Sequence, residues 1–220
     1  VAGLLGAGGL GIAGGALQYV QPPVVGATSY FKTQLLDLDG SPLTATKVMA
    51  EYDVLTSDLI LFNYPLLNEP NFLLNVAPPN GSSGGATNVP GGVGPQKSIV
   101  AYSAICQHLG CPAPALSYYP PGTCSQAFNG RGFYLHCTCH GSTYDVANGA
   151  ANLTGPAVLP LPQVVLEWNE GDDTLAAVGM TAGSPPVNGH LDTLQGDYPV
   201  GASVQLQKQA PISPLSCFFP

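Results

Sequence analysis

Two stretches of the chain hold residues able to do metal or redox chemistry. Cys106-Gln107-His108-Leu109-Gly110-Cys111 and Cys137-Thr138-Cys139-His140-Gly141-Ser142-Thr143-Tyr144 each gather two cysteines, one histidine and a glycine into a tight loop. Thiolate and imidazole are the ligands that zinc and iron–sulfur iron prefer. A zinc finger needs four ligands at spacings such as CxxC and HxxxH, and neither stretch offers them. One thiolate and one imidazole per loop instead suit a two-iron centre held by two cysteines and two histidines. A structural zinc site is the alternative.

The elements that must carry these loops are short. Residues 30–38, 47–55, 59–63, 98–105, 132–136 and 163–168 are apolar and β-branched runs of strand length. Asp39-Gly40, Asn129-Gly130, Asn148-Gly149 and Glu170-Gly171 stand between them as turns. No amphipathic stretch of about 12 residues reads as a helix after the N-terminus, so the body is predicted to be all-β. Residues 78–96 are too rich in Gly, Pro and Ser to form an element, and they mark a boundary ahead of the cysteines. Residues 1–20 carry no charge and seven glycines, and they are long enough to cross a bilayer as a helix. Gly11 and Gly15 give that helix a close-packing face; a Gly-rich tail is the alternative. Gln21-Pro22-Pro23 would end it. The expected organisation is a transmembrane anchor at 1–21, a flexible tether at 22–29, a β base domain at 30–97 and 161–220, and a subdomain at 98–160 that holds both loops.

Taken together and in this order, CxHxGC and CxCHGS resemble the Rieske iron–sulfur proteins of quinol-oxidising cytochrome bc-type complexes. The low charge and Gly/Pro-rich insertions are most similar to the membrane-anchored Rieske proteins of thermoacidophilic archaea such as Sulfolobus. The resemblance is detailed from about residue 98 to 160 and is one of layout elsewhere. It implies a Rieske fold of antiparallel sheets with a small cluster-binding subdomain. It also implies a [2Fe–2S] cluster, with Cys106 and Cys137 on one iron and His108 and His140 on the other. Cys111 and Cys139 would form a disulfide tying the loops together. Ser142 matches a hydroxyl that donates to a bridging sulfide, and Tyr144 one that donates to a ligand cysteine, Cys106. Leu109, Gly110, Gly141 and Pro156 are implied to line the cluster, the two glycines by letting the backbone turn around it. Gly155-Pro156-Ala157-Val158-Leu159-Pro160 resembles the loop that covers the cluster from a third side, with Val158 in place of a second proline. Cys124 and Cys217 remain; they pair, pinning the C-terminal tail, or stay as buried thiols. His136 has no motif role and is expected to be structural, and Trp168 is expected in the core.

The function implied is that of a high-potential electron-transfer subunit of a respiratory oxidoreductase. It would accept an electron, with a coupled proton, from a quinol at a cytochrome b-type membrane subunit, and pass the electron to a haem or copper acceptor. His108 and His140 would be the catalytic pair, with His140 meeting the quinol hydroxyl. The alternative is the Rieske small subunit of an exported metalloid oxidase, such as arsenite oxidase. A stable disulfide needs an oxidising compartment. The cluster is therefore expected on the outer face of the cell membrane, with a single span in the lipid bilayer. Five Lys and Arg against thirteen Asp and Glu, a net charge of −8, exclude a phosphate-binding surface for nucleic acid. After residue 31 only 18 charges remain in 189 residues. A surface of hydroxyls and amides suits an acidic exterior, where carboxylate ion pairs would be lost.

Overall fold

In the computed structural model, the residues described are 27–78, 85–125, 132–181, 198–213, 215 and 217. The expected anchor and most of the expected tether lie outside them. Among the described residues no helix is long and apolar enough to cross a membrane.

The described elements are β1 (Ala27–Leu36), helix α1 (Ala45–Glu51), β2 (Leu59–Asn63), β3 (Pro70–Asn75), β4 (Ile99–Ser103), β5 (Leu116–Tyr119), β6 (Tyr134–Cys137), β7 (Thr143–Asp145), β8 (Ala151–Thr154), β9 (Gln163–Asn169), β10 (Thr174–Thr181), β11 (Ser203–Gln205) and β12 (Gln207–Gln209). Eight strands form one sheet in the order β11-β1-β10-β9-β4-β3-β2-β12, and four form a second in the order β5-β6-β7-β8. All pairings are antiparallel except that of β1 with β11. β11 and β12 are consecutive, joined at Leu206, yet they pair with β1 and β2 at opposite edges. One stretch of chain therefore adds a short strand to each edge of the larger sheet.

The central strands of the larger sheet are apolar on both faces. Ile60, Phe62, Leu73, Ile99 and Ala101 point into a core enclosed by the curled sheet and α1. Their neighbours Leu59, Leu61, Phe72, Leu74, Val100 and Tyr102 point the other way, against Leu116, Tyr118, Leu135 and Cys137 of the smaller sheet. Strand side chains alternate between faces, so Leu59–Phe62 of β2, Phe72–Leu74 of β3 and Ile99–Tyr102 of β4 are apolar without a break and serve both cores. The smaller sheet is thus held against the larger one by a continuous apolar layer.

The structure corrects the expectation of an all-β body at residues 47–55. Thr44 caps α1, its side-chain oxygen accepting from the Lys47 N–H at 3.1 Å. Ala45 and Val48, three residues apart, bury on one side of the turn. A Thr cap with one-turn apolar spacing favours helix here, and tertiary burial decides the outcome. The fold is mostly β with this short helix.

Asp37 is 2% exposed and meets the Tyr52 hydroxyl at 2.6 Å and the Lys47 ammonium. Burial alone would raise its pKa, but the bonds from Lys47 and Tyr52 outweigh it and hold the carboxyl below its ordinary value. Such a carboxyl stabilises the fold above its unfolded pKa of about 3.9, and the contribution is lost as pH falls through the lower folded value. Asp37→Asn is expected to destabilise the protein at neutral pH and to flatten the loss of stability below about pH 4. Denaturant unfolding across that range reads both effects, and an acid limb identical to that of the wild type would show that Asp37 does not carry it.

Candidate metal centre

The two cysteine loops sit at one end of the smaller sheet and share one backbone design. In the first, the Cys106 N–H donates to the Cys111 carbonyl at 3.0 Å and the Gly110 N–H to the Cys106 carbonyl at 2.9 Å. In the second, the Cys137 N–H donates to the Ser142 carbonyl at 2.8 Å and the Gly141 N–H to the Cys137 carbonyl at 2.9 Å. Each loop is a hexapeptide with cysteine first and glycine fifth, and the glycines take φ of 78° and 86°. Only glycine adopts that conformation without strain. The shared design is visible in the sequence itself as two CxxxGx strings.

The loops face each other. Cys111 and Cys139 are joined as a disulfide, with their Cα atoms 6.7 Å apart. Cys106 and Cys137 are buried free thiols. The rings of His108 and His140 lie with centroids 4.7 Å apart and planes nearly perpendicular. His140 is exposed, whereas His108 is half-buried. The Cys137 sulfur also lies within 4.8 Å of both disulfide sulfurs. A bonded disulfide has no thiolate to offer, so that trio is not itself a cation site.

Hydrogen bonding orients two hydroxyls toward the sulfur. The Tyr144 oxygen accepts the Gln107 N–H at 3.2 Å and stands 3.3 Å from the Cys106 sulfur, at hydrogen-bond distance; with Cys106 as a thiolate, the phenol is the donor. Burial and the adjacent Cys106 both push the Tyr144 pKa up, which keeps the phenol a donor. The Ser142 oxygen accepts the Ala157 N–H at 3.1 Å, and the same hydroxyl is hydrogen-bonded to Cys106. Cys137, hydrogen-bonded to Cys106, outweighs burial and, with Tyr144, brings the Cys106 thiol down to about 6. The same bond and burial push Cys137 up.

Residues 155–160 close the third side. Gly155 has φ of 84°, and a Cβ there would lie 2.5 Å from the Gly141 carbonyl oxygen and the Ser142 Cα. Glycine is what lets this loop press onto the second one. Val158 does not prevent the approach, because its side chain points outward at 88% exposure. Pro156 is exposed, and the contact to Ser142 is made by its neighbour Ala157. Leu109, 58% exposed, stands on the outer rim of the first loop. The N–H groups of Gln107 and Ala157, which aim the two hydroxyls, were not among the residues singled out from sequence. A backbone donor leaves no mark in residue type.

Cys124 is joined to Cys217. His136 is buried beside Thr143, and burial brings its pKa down to about 4, so the ring is neutral at pH 7. Trp168 is half-buried against the core of the larger sheet, its indole N–H donating to Asp173 at 2.8 Å.

The donor set fits a [2Fe–2S] cluster. His108 Nδ1 is buried without a hydrogen-bond partner among the described residues, which is costly for an imidazole nitrogen unless something else occupies its lone pair. Two buried thiols and two imidazoles on facing loops supply the four ligands that such a cluster needs.

Residues 83–165 match the Rieske [2Fe-2S] domain family. Over 83 residues the chain is 40% identical to the cytochrome bc1 complex Rieske iron-sulfur subunit of Streptomyces lividans, covering 38% of this chain and 41% of that protein. The matched stretch thus spans well under half of that relative. The iodate reductase subunit IdrB of Denitromonas iodatirespirans is 31% identical over 156 residues, covering 66% of this chain and 73% of that subunit. Among solved structures, the soluble domain of Rieske protein II (soxF) from Sulfolobus acidocaldarius is similar at 25% identity and a TM-score of 0.46, covering 71% of this chain and 82% of that one.

Proposed function

Because the chain belongs to the Rieske [2Fe–2S] protein family, we propose that it carries single electrons from a quinol, oxidised at a cytochrome b-type membrane partner, toward a haem or copper acceptor. The carrying observation is the exposed His140, its ring 4.7 Å from that of His108 at the tip of the smaller sheet. The loops around it present exposed apolar side chains, Leu109 at 58%, Val158 at 88% and Leu159 at 42%. An exposed imidazole inside an apolar rim suits docking against a membrane subunit and a quinol.

Cys106, Cys137, His108 and His140 hold the cluster in this reading, through the two thiolates and one nitrogen of each imidazole. When bound, the cluster supplies a one-electron acceptor and donor. His140 is exposed, and in this reading its second ring nitrogen takes a hydrogen bond from the quinol hydroxyl. Tyr144 and Ser142 donate toward sulfur and draw off negative charge, which raises the reduction potential. Tyr144→Phe and Ser142→Ala are each expected to keep the cluster and lower its midpoint potential. A donor worth on the order of 1–2 kcal/mol more in the reduced state corresponds to roughly 40–90 mV. Protein-film voltammetry checks this, and unaltered potentials in both variants would mean that neither hydroxyl acts on the sulfur.

The apolar residues 1–20 support a single membrane span, and the Cys111–Cys139 disulfide supports an oxidising outer face. The scarcity of charge supports an acidic exterior on the archaeal pattern.

A second reading has its own support. The identity to IdrB runs over 73% of that subunit, whereas the match to the bc1 subunit stops after 83 residues. In this reading the chain is the small iron–sulfur subunit of an exported oxidoreductase acting on a metalloid or halogen oxyanion. Isolation of the native complex from detergent-solubilised membranes separates the two. Copurifying b-type haem supports the quinol reading, and molybdenum without b-type haem supports the second.

A further inference from the structure

The C-terminal tail crosses from one sheet to the other. As β12 it runs along β2 in the larger sheet. The Ile212 N–H then donates to Ser117 Oγ on β5 at 3.3 Å, and Cys217 is bonded to Cys124 beyond the end of that strand. Ser117 lies on the face of the smaller sheet turned away from the shared core. Tyr119, Tyr134, His136 and Thr143 alternate with core-facing Leu116, Tyr118, Leu135, Cys137 and Tyr144, and so share that outer face. All five are at most 2% exposed.

Within this covered layer, His136 Nδ1 and Thr143 Oγ1 share a hydrogen bond of 2.8 Å. Ser117 is paired with His136 across the strands, and the Tyr119 ring meets the His136 ring edge-on at 5.5 Å. His136 and Thr143 are partners in register, and between them lies the whole second loop, residues 137–142. The Cys137 to Ser142 backbone bond closes the loop, and the His136–Thr143 side-chain bond forms the next rung, on the face that the apolar core does not reach.

We propose that His136 and Thr143 are positioning residues for the second cluster loop, and that the disulfide-anchored C-terminal tail, seated on Ser117, is the clasp that holds them in place. The inference rests on the cluster reading for its effect on the metal centre. The layer fixes both ends of the loop that presents Cys137, His140 and Ser142. A slackened rung lets Cys137 and Ser142 move relative to each other, which alters the environment of the sulfur and not merely the stability of the sheet.

The test uses the full-length holoprotein with Thr143→Val, Thr143→Ser and the double variant Cys124→Ser/Cys217→Ser. Midpoint potential and EPR line shape report on the centre, and hydrogen exchange of peptides from β5 and β6 reports on the clasp. Thr143→Val is expected to shift the potential and broaden the EPR signal, whereas Thr143→Ser, which keeps the hydroxyl, retains both wild-type values. The double cysteine variant is expected to exchange at least tenfold faster in β5 and β6 and to shift the potential in the same direction. Thr143→Val indistinguishable from Thr143→Ser, or exchange unchanged without the disulfide, overturns the proposal. Iron and sulfide content of the wild type decides the cluster reading separately. The exchange measurement needs no cluster, so it judges the clasp even where Thr143→Val fails to fold.

Discussion

Cys137→Ser is expected to yield a folded protein that contains no cluster and gives no EPR signal on reduction. Cys137 is buried and lies at the head of the second loop, facing the Cys106 thiol. A serine oxygen is a hard, weakly acidic ligand, poorly matched to an iron whose other protein ligand is the Cys106 thiolate. The substitution removes one side chain from the edge of the apolar layer between the sheets and none from the core enclosed by the larger sheet. The larger sheet therefore stays folded, and circular dichroism with iron analysis separates lost metal from lost fold. Ser142→Ala serves as the control, because it alters the same loop and leaves the four ligands intact. A Cys137→Ser protein that retained the signal would contradict the ligand assignment.

The second large effect concerns the tie between the loops. Cys111 and Cys139 are 28 residues apart in sequence, and closing a loop of that size restricts the unfolded chain by about 3–4 kcal/mol. For a chain of this length that corresponds to a fall of roughly 10 °C in Tm when both are changed to serine. The first loop would also lose its covalent link to the second, so iron is expected to leave the double variant well below the temperature at which it leaves the wild type. Thermal melts followed by circular dichroism and by the visible absorbance of the cluster read the two processes side by side. Equal Tm values and equal iron retention would mean that hydrogen bonds and the third loop alone hold the loops together.

The chemistry was legible in the sequence because it resides in side-chain types. Cys106, His108, Cys137 and His140 announce themselves, and the structure gathers them at one site. Strands such as β2 and β9 were legible because they are apolar runs between turns. β3 and β10 were missed for identifiable reasons. β3 begins on Pro70, and β10 contains Gly179 beside a shift in register, both of which read as breaks. Helix α1 was read as a strand because its residues satisfy both patterns locally, and only the burial of Ala45 and Val48 settles the choice. The orientation of Ser142 and Tyr144 depends on the N–H groups of Ala157 and Gln107, which every non-proline residue carries. The contact of Ile212 with Ser117 spans 95 residues, and no local pattern encodes it.

The cluster assignment is tested most directly by metal and sulfide analysis of the purified full-length chain, combined with pulsed EPR after reduction. The expected result is about two irons and two acid-labile sulfides per chain, with the reduced signal coupled to the nitrogens of two histidines. Zinc in place of iron, no labile sulfide and no signal would contradict it.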